Sequence, residues 1–287
     1  MPDPALDESL SLLRWLVEAG ADEAIADAPI HRLAQATPLA ARANDAPDEG
    51  ETPLPETRKR VSTLPQGGRV SSNAKSAAAI SLSTAPGAAR ALAASCTTLA
   101  ELRAALGNFD GCELKRYATN TVFAGGTPQG GIMLIGEAPG RDEDEQGLPF
   151  VGRAGQLLDR MLASIGLDRS KVYITNVLNW RPPQNRDPSP EEAAACLPFL
   201  HRHIELADPK LLILLGAVSV RHVLGMTDGI LRLRGKWQLY QNEQIGRAIP
   251  TMPTLHPAYL LRQTAAKRLA WRDFLTISER ISALGLA

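Results

Sequence analysis

Residues 132–140 read "IMLIGEAPG", an apolar run that ends in a glycine, a glutamate and a Pro-Gly turn. A short apolar run closed by turn signals is typical of a buried strand that leads into a loop. Three later segments have the same character: "KVYITNVLNW" at 171–180, "PKLLILLG" at 209–216 and "IPTMPTLH" at 249–256. The four segments together predict the strands of one sheet.

Helical patterns separate these predicted strands. The segment "AGQLLDRMLASIGL" has apolar residues at helical spacing, and "SPEEAAACLPFLHRHIELA" opens with a serine cap followed by two glutamates. A short helix is predicted in "AVSVRHVLG", and a final one in "AAKRLAWRDFLTISERIS". Strands that alternate with helices indicate an α/β fold, in which a parallel sheet is covered by helices on both faces.

The N-terminal third of the chain differs from the rest. Residues 1–27 contain leucines and a tryptophan at helical spacing, which predicts an amphipathic helix, either loosely tethered or bound to an unknown protein partner. Residues 28–94 are rich in Ala, Pro, Ser, Thr and Gly and nearly lack aromatic residues, so we predict a disordered linker. Residues 95–287 form the predicted folded domain, which begins with a helix in "TTLAELRAALGNF".

Composition excludes several classes of protein. The chain has 31 basic and 31 acidic residues, so contact with nucleic acid requires a local basic patch and not a global field. Three widely spaced cysteines do not make a disulfide framework. No apolar run is long enough to span a bilayer, and the N-terminus lacks the pattern of a secretory signal. These features predict a cytoplasmic protein that does not bind membranes, and we expect it to be a monomer.

The predicted strands end in residues that suit a planar, neutral ligand. In parallel α/β sheets, ligands bind beyond the carboxyl ends of the strands. There we find Gly136, where a ligand can approach the backbone, together with Glu137, Phe150, Asn176 and His256. The first loop has no lysine, so a phosphate loop is excluded. This set of groups would suit hydrolysis of the bond between a flipped pyrimidine and its deoxyribose. It offers a ring for stacking, an amide, an imidazole donor and a carboxylate that orients water.

Four motifs carry a resemblance to a known family. The segments "GEAPG", "GLPFVGRAGQLLDRML", "VYITNVLNWRPPQNR" and "LHPAYLLR" resemble the signature blocks of the family 4 (type-4) uracil-DNA glycosylases, in order, across about residues 108–280. The resemblance implies a three-layer fold with a central four-stranded parallel sheet. It also implies removal of uracil from single- or double-stranded DNA in base-excision repair.

The same resemblance implies a role for each site residue. Glu137 is the acidic residue that positions water, and His256 donates to O2 of uracil. Phe150 is the ring on which uracil stacks, and Asn176 is the amide that recognises uracil N3–H and O4. Glu143 takes the position of a second catalytic acid, although the run "DEDE" at 142–145 is also consistent with a solvated face.

DNA contacts are expected beside this pocket. Tyr259, Leu260 and Leu261 are bulky residues in a predicted loop, where they would form a wedge that holds the base stack open. The alternative is that at least one of the leucines packs inward. Three arginines are candidates for holding phosphates around the flipped nucleotide: Arg181, Arg186 and Arg262.

This sequence departs from the family's pattern at the metal site. Family 4 enzymes usually hold a 4Fe–4S cluster with four cysteines, but here Phe109 and Trp180 stand at the first and third of these positions. Cys112 and Cys196 remain at the second and fourth, and Cys96 lies outside the pattern. Two thiolates do not hold a four-iron cluster. We therefore predict that the cluster is lost and that the enzyme needs no cofactor.

Other functions remain open at this stage. One is a glycosylase with a shifted base preference, for hypoxanthine or xanthine. Others are a protein that binds uracil-DNA without turnover, and a non-catalytic DNA-binding module. Covalent trapping by a histidine in an inserted basic loop is disfavoured, because "RPPQNRDPSP" at 181–190 contains neither an insertion nor a histidine.

Overall fold

The computed structural model describes residues 86–242 and 244–286. A six-stranded mixed sheet forms its centre, in the order β1-β3-β2-β4-β6-β5. The strands are β1 (Gly125–Gly126), β2 (Ile132–Gly136), β3 (Tyr173–Asn176), β4 (Leu211–Leu215), β5 (Gln238–Tyr240) and β6 (Ile249–Thr254).

The sheet is larger than the predicted four-stranded parallel one. Strands β3, β2, β4 and β6 are parallel neighbours, whereas β1 pairs with β3 and β5 pairs with β6 in antiparallel fashion. The two edge strands escaped prediction because β1 is two glycines and β5 is three residues long, too short for an alternating pattern to be recognised.

Helices cover both faces of the sheet, which confirms the α/β class. They are α1 (86–95), α2 (Leu99–Asn108), α3 (Arg141–Gln146), α4 (Arg153–Ala163), α5 (Pro190–Ala207), α6 (Ala217–Leu224), α7 (Ile230–Leu233), α8 (Pro257–Arg262) and α9 (Lys267–Ala283). The predicted start signals of two helices are confirmed: Thr98 caps α2, and Ser189 forms a capping box with Glu192 at α5. None of the helices within the described ranges has the length and apolar character that a membrane span requires.

Strand β2 shows how the core is divided into two layers. Side chains alternate along a strand, so Ile132 and Leu134 enter one hydrophobic cluster while Met133 and Ile135 enter another on the opposite face. The first cluster includes residues of α4 and α9, and the second includes residues of α5 and α6. Because both faces are buried, the strand consists entirely of apolar residues and glycine.

A third cluster packs α1 and α2 against Ala195, Cys196 and Phe199 of α5. Its members from α1 include Ala89 and Ala93, which are 0% and 2% exposed. The predicted linker over 28–94 is therefore wrong at its C-terminal end, where residues 86–94 form part of a packed helix. An alanine-rich helix buries little area per residue, so low aromatic content concealed it. The predicted helix at 1–27 and the linker over 28–85 lie outside the described residues.

Helix α1 is expected to contribute measurably to stability. A chain that begins at residue 96 should melt about 5–10 °C below one that begins at residue 86, because it loses roughly 2–4 kcal/mol of buried alanine and leucine surface. Thermal melts followed by circular dichroism compare the two truncations directly. Equal melting temperatures would show that α1 is dispensable to the third cluster.

Candidate active site

A cavity of about 350 Å³ opens at the carboxyl ends of the parallel strands. The structure brings eight of the predicted site residues to its wall: Glu137, Glu143, Phe150, Asn176, Arg186, His256, Tyr259 and Arg262. These residues come from four separate stretches of sequence. They meet because β2, β3 and β6 run in the same direction and end at the same edge of the sheet.

Asn176 lines the cavity, and Gly136 is buried next to it. They are register partners at the ends of β2 and β3, so they lie side by side. A Cβ atom on Gly136 would lie 2.4 Å from Asn176 Oδ1 and 2.5 Å from Phe150 Cζ. Both distances are shorter than van der Waals contacts allow. Because residue 136 has no side chain, the Asn176 amide and the Phe150 ring can occupy these positions.

Asn176 has an acceptor that no other group satisfies. The residue is 2% exposed, and its Oδ1 is the one fully buried side-chain N or O atom without a hydrogen-bond partner among the described residues. Leaving a buried acceptor unpaired costs about 1–3 kcal/mol. An orphan acceptor at the wall of a cavity indicates a ligand that supplies an N–H or O–H donor.

Phe150 is held in an unusual backbone conformation. Its φ is 55°, in the left-handed region that non-glycine residues rarely adopt. The guanidinium of Arg169 donates to the carbonyl of Phe150 and, at 3.2 Å, to that of Pro149, and it also pairs with Asp159 at 2.8 Å. The Phe150 ring lies 5.6 Å from that of His256, centroid to centroid. Arg169 was not predicted at the site, because it lies outside every motif and acts through the backbone.

Glu143 holds the loop that carries Phe150. Its Oε1 accepts from the backbone N–H groups of Val151 and Gly152, each at 2.9 Å, and its Oε2 accepts from that of Gly140 at 3.1 Å. Both carboxylate oxygens are thus occupied by the backbone on either side of α3. The interpretation of this acidic run as a solvated face is wrong at Glu143.

The carboxylate of Asp144 also binds backbone N–H groups of a loop, on the other side of α3. It is 5% exposed, and its Oδ1 accepts from the N–H groups of Thr119 at 2.8 Å and Asn120 at 3.1 Å. The acidic run therefore supplies two carboxylates that organise loops. A pattern of charges alone does not distinguish this role from exposure to solvent.

Glu137 is the carboxylate that remains free at the cavity. It is half-buried, and it has no side-chain hydrogen bond or ion pair with any residue in the described ranges. Burial raises the pKa of its carboxyl group, and the charge of Asp187 raises it further, while Arg221 and Arg262 act in the opposite direction. Neither residue was predicted at the site: Asp187 directly follows Arg186, and Arg221 lies on helix α6, outside every motif.

His256 is a neutral donor with a defined tautomer. It caps α8, and its Nδ1 accepts from the backbone N–H of Ala258 at 3.1 Å. Since Nδ1 is an acceptor, the proton of the neutral ring is on Nε2. Burial lowers the pKa of His256 to about 4, with a further contribution from the charge of Arg262. The imidazole is therefore neutral at physiological pH.

The predicted leucine wedge requires correction. Residues 257–262 form helix α8 and not a loop, because Pro257 at its first position and His256 at its cap favour a helix start. Leu260 is 0% exposed and belongs to the core, and Leu261 is partly buried against that core. Leu260 is thus not a wedge residue, whereas Tyr259 lines the cavity.

The three predicted phosphate-binding arginines differ in their availability. Arg186 makes a two-point contact with the carboxylate of Glu192, at 2.8 and 2.5 Å. Arg181 donates to Asn185 Oδ1 at 2.8 Å and lies in an adjoining cleft. Arg262 is exposed and forms no ion pair within the described part of the chain. Arg186 is therefore largely committed to a structural carboxylate, and Arg262 is the cation with the fewest protein partners.

Aromatic side chains fill the region where the resemblance implies a metal cluster. The Phe109 ring lies 5.1 Å from that of Phe199, and Trp180 is 1% exposed with its indole N–H donating to a threonine hydroxyl at 3.0 Å. Cys112 and Cys196 are both buried in the same cluster. In the described ranges, no three His, Cys, Asp or Glu side chains are grouped as the ligands of a metal ion would be. The residues present do not fit a four-iron cluster.

Comparisons with known proteins agree with this geometry. A family model described as "Uracil DNA glycosylase superfamily" matches residues 123–275. The chain is 42% identical over 172 residues to a type-4 uracil-DNA glycosylase of Archaeoglobus fulgidus, covering 58% of this chain and 85% of that protein. Relatives with the same description occur in Sulfurisphaera tokodaii, at 40% over 173 residues (58% and 78% covered), and in Pyrobaculum aerophilum, at 40% over 171 residues (59% and 87% covered).

Proposed function

The chain belongs to the uracil-DNA glycosylase superfamily, and from this premise we propose that it hydrolyses the N-glycosidic bond of deoxyuridine in DNA. The products are free uracil and an abasic site, which base-excision repair then processes. The observation that carries this function is the unpaired Oδ1 of Asn176 at the wall of the cavity. It requires a donor such as uracil N3–H.

Uracil complements the walls of the cavity. With Oδ1 accepting from N3–H, the NH2 group of Asn176 is free to donate to the adjacent O4. The Phe150 ring offers a face on which the base stacks, and the absence of a side chain at Gly136 lets that ring and the Asn176 amide keep their positions. Cytosine inverts the donor and acceptor at these two positions, so it would leave two buried polar contacts unpaired, each costing about 1–3 kcal/mol.

The chemistry follows from the two groups that flank the base. As the glycosidic bond stretches, the sugar gains positive charge and uracil leaves as an anion. The Nε2–H of His256 donates to O2, where negative charge develops, and it does so from a neutral ring. Glu137, whose carboxylate has no other partner in the described ranges, orients the water that attacks C1′.

Glu143 acts as a positioning residue in this scheme. Its carboxylate binds three backbone N–H groups and so holds the loop that presents Phe150. Tyr259 and Arg262 lie at the rim, where they would contact the strand on either side of the flipped nucleotide.

Asn176→Asp is expected to lower uracil excision at least tenfold, because the variant loses the NH2 donor to O4 and places a charge next to that oxygen. Alkaline cleavage of uracil-containing oligonucleotides, resolved on gels, measures the rate. The exposed Asn108 provides a matched control, since Asn108→Asp should leave excision unchanged. Unaltered kinetics in Asn176→Asp would remove this residue from the base site. Release of hypoxanthine in preference to uracil by the wild-type protein would contradict the proposed substrate.

We further infer that the chain holds no 4Fe–4S cluster. The support is chemical and steric. Only two of the four ligand cysteines are present, and two aromatic side chains take up the volume of the missing ones. Neither the recognition of uracil nor the hydrolysis described above requires the cluster.

Trp180→Ala is expected to destabilise the protein by about 3–5 kcal/mol, as truncation of a large core side chain does. Purified wild-type protein should be colourless and contain far less than one iron per chain. Urea denaturation measures the change in free energy of unfolding, and Tyr117→Ala, at a side chain that is 63% exposed, serves as the control with little expected change. Brown protein with four irons per chain after anaerobic purification would overturn the inference.

A further inference from the structure

A buried ion pair lies next to the strand that leads to His256. The Arg234 guanidinium donates to both carboxylate oxygens of Asp273, to Oδ2 at 2.9 Å, and it also donates to the Leu269 carbonyl at 2.7 Å. Asp273 is 1% exposed, and the Arg234 side chain is 15% exposed. A buried ion pair adds little net stability compared with apolar side chains of similar volume, so its main consequence is the geometry that it fixes.

The ion pair is bonded to the last residue of β6. The hydroxyl of Thr254, which is fully buried, donates to Asp273 Oδ2 at 2.7 Å. One residue earlier, the Pro253 carbonyl accepts from the backbone N–H of Gly235 at 3.0 Å. The end of β6 is thus bonded to the segment that follows α7 and, through Asp273, to α9.

His256 depends on this strand end for its place in the cavity. Its ring accepts from the backbone N–H of Ala258, two residues later, so this bond orients the ring relative to its own segment and not relative to the sheet. On the β4 side, the N–H of Gly216 donates to the Thr254 carbonyl at 2.9 Å, and a Cβ atom at Gly216 would lie 3.0 Å from His256 Cβ. The position of the imidazole relative to the base site is therefore set by where β6 ends.

We propose that Thr254 and Asp273 are positioning residues for the glycosidic cleavage: their hydrogen bond, anchored by Arg234, fixes the end of β6 so that the His256 imidazole reaches the leaving base. This inference rests on the proposed function and deepens it. Neither Thr254 nor Asp273 lines the cavity, and both lie outside the four motifs of the sequence. Their effect on the reaction is transmitted through the backbone of residues 254–256.

Substitutions at Thr254 test the link without opening the ion pair. Valine has the shape of threonine but no hydroxyl, so Thr254→Val removes the bond to Asp273 while Arg234 still pairs with the carboxylate. We expect a single-turnover rate of uracil excision about tenfold below that of wild type, a smaller loss than a displacement of about 1 Å would cause. Thr254→Ser keeps the hydroxyl and should excise uracil at close to the wild-type rate.

Two kinetic readouts distinguish positioning from a general loss of stability. The double variant Thr254→Val, His256→Ala should be no slower than His256→Ala alone, because residues that act as a unit have non-additive effects. The loss in Thr254→Val should also be smaller on 5-fluorouracil than on uracil, because the fluorinated base leaves more easily as an anion and needs less stabilisation from the imidazole.

Tyr173→Phe is the matched control for loss of a buried hydrogen bond. It removes the 2.8 Å contact between the Tyr173 hydroxyl and His203 Nε2, at the first residue of β3, whereas Asn176 is the last residue of that strand. This variant should lose stability and yet keep the wild-type rate. Melting temperatures are measured for every variant, and rates are compared at a temperature where all of them are folded.

Nuclear magnetic resonance of the histidine side chains tests the positioning without turnover. The imidazole resonances of His256 are assigned by their loss in His256→Ala. Thr254→Val should shift these resonances and leave those of His203 in place, whereas Tyr173→Phe should do the reverse.

Several results would overturn the inference. They are a wild-type rate in folded Thr254→Val, losses that add in the double variant, an equal loss on both bases, or unchanged His256 resonances. If Thr254→Val does not fold, Asp273→Asn takes its place in the same comparisons and decides. If the wild-type protein releases no uracil, the proposed function fails, and the resonances alone decide whether the Thr254–Asp273 bond positions His256.

Discussion

His256→Ala is expected to slow single-turnover excision of uracil by about 10²–10³-fold while leaving the affinity for uracil-containing DNA almost unchanged. The imidazole donates to an oxygen that becomes anionic only as the glycosidic bond breaks, so its contribution is larger in the transition state than in the bound ground state. Rapid-quench kinetics with enzyme in excess give the rate, and fluorescence anisotropy gives the affinity.

His222→Ala provides the control for this experiment. His222 lies on α6, does not line the cavity and should tolerate the change with rates close to wild type. If the rate of His256→Ala stays within threefold of the wild-type rate, His256 serves only as the cap of α8.

The pH dependence gives a second test of the same group. Burial lowers the pKa of His256 to about 4, so the neutral ring predominates at every pH above that value. The wild-type rate should therefore show no loss attributable to His256 as the pH rises from 6 to 8. A decline with an apparent pKa near 6.5 would mean that the imidazolium is the active form, contrary to the tautomer assigned from the Ala258 contact.

Gly136→Ala is the second change with a large expected effect, a loss of about 10²-fold in uracil excision. The new methyl group would lie 2.4 Å from Asn176 Oδ1 and 2.5 Å from Phe150 Cζ, so the amide and the ring must both move. A displacement of about 1 Å in a positioned group is enough for a loss of this size. The same gel assay measures the rate.

Gly107→Ala separates this effect from the general cost of an added methyl group. A Cβ at Gly107 meets no atom within 4 Å, and the residue is in helix α2, where alanine is preferred to glycine. This control should retain full activity. The melting temperature of Gly136→Ala is measured in parallel, since overpacking costs about 1–3 kcal/mol. Wild-type rates in a stable Gly136→Ala protein would show that the positions of the Asn176 amide and the Phe150 ring do not limit uracil excision.

The central sheet and the main site residues were accessible from the sequence for a physical reason. A strand buried on both faces must be apolar along its length, and the chain must turn where it ends, so the ends of β2, β3 and β6 are visible as changes of composition. Parallel strands bring those ends together. Glu137, Asn176 and His256 therefore belong to one cavity wall, as expected from their positions after the apolar runs.

Other features depended on partners that are remote in the chain. Leu260 is buried because α8 turns that face toward the core, and Arg186 is committed to Glu192 because the start of α5 lies beside it. Helix α1 is packed because α2 and α5 supply a surface for its alanines, which its own composition does not reveal.

The sequence by itself determined the α/β class, the places where strands end and the chemical types of the groups gathered there, because periodicity and composition record which faces are buried. Only the tertiary structure decided which of those groups are free to act. Glu137 and Glu143 both lie in the segment between β2 and α4, yet the carboxylate of Glu143 binds three backbone N–H groups, while the carboxylate of Glu137 has no hydrogen-bonding partner in the described part of the chain. The reason is that hydrogen bonds and ion pairs form between groups that folding brings together, and a local pattern carries no record of the partner.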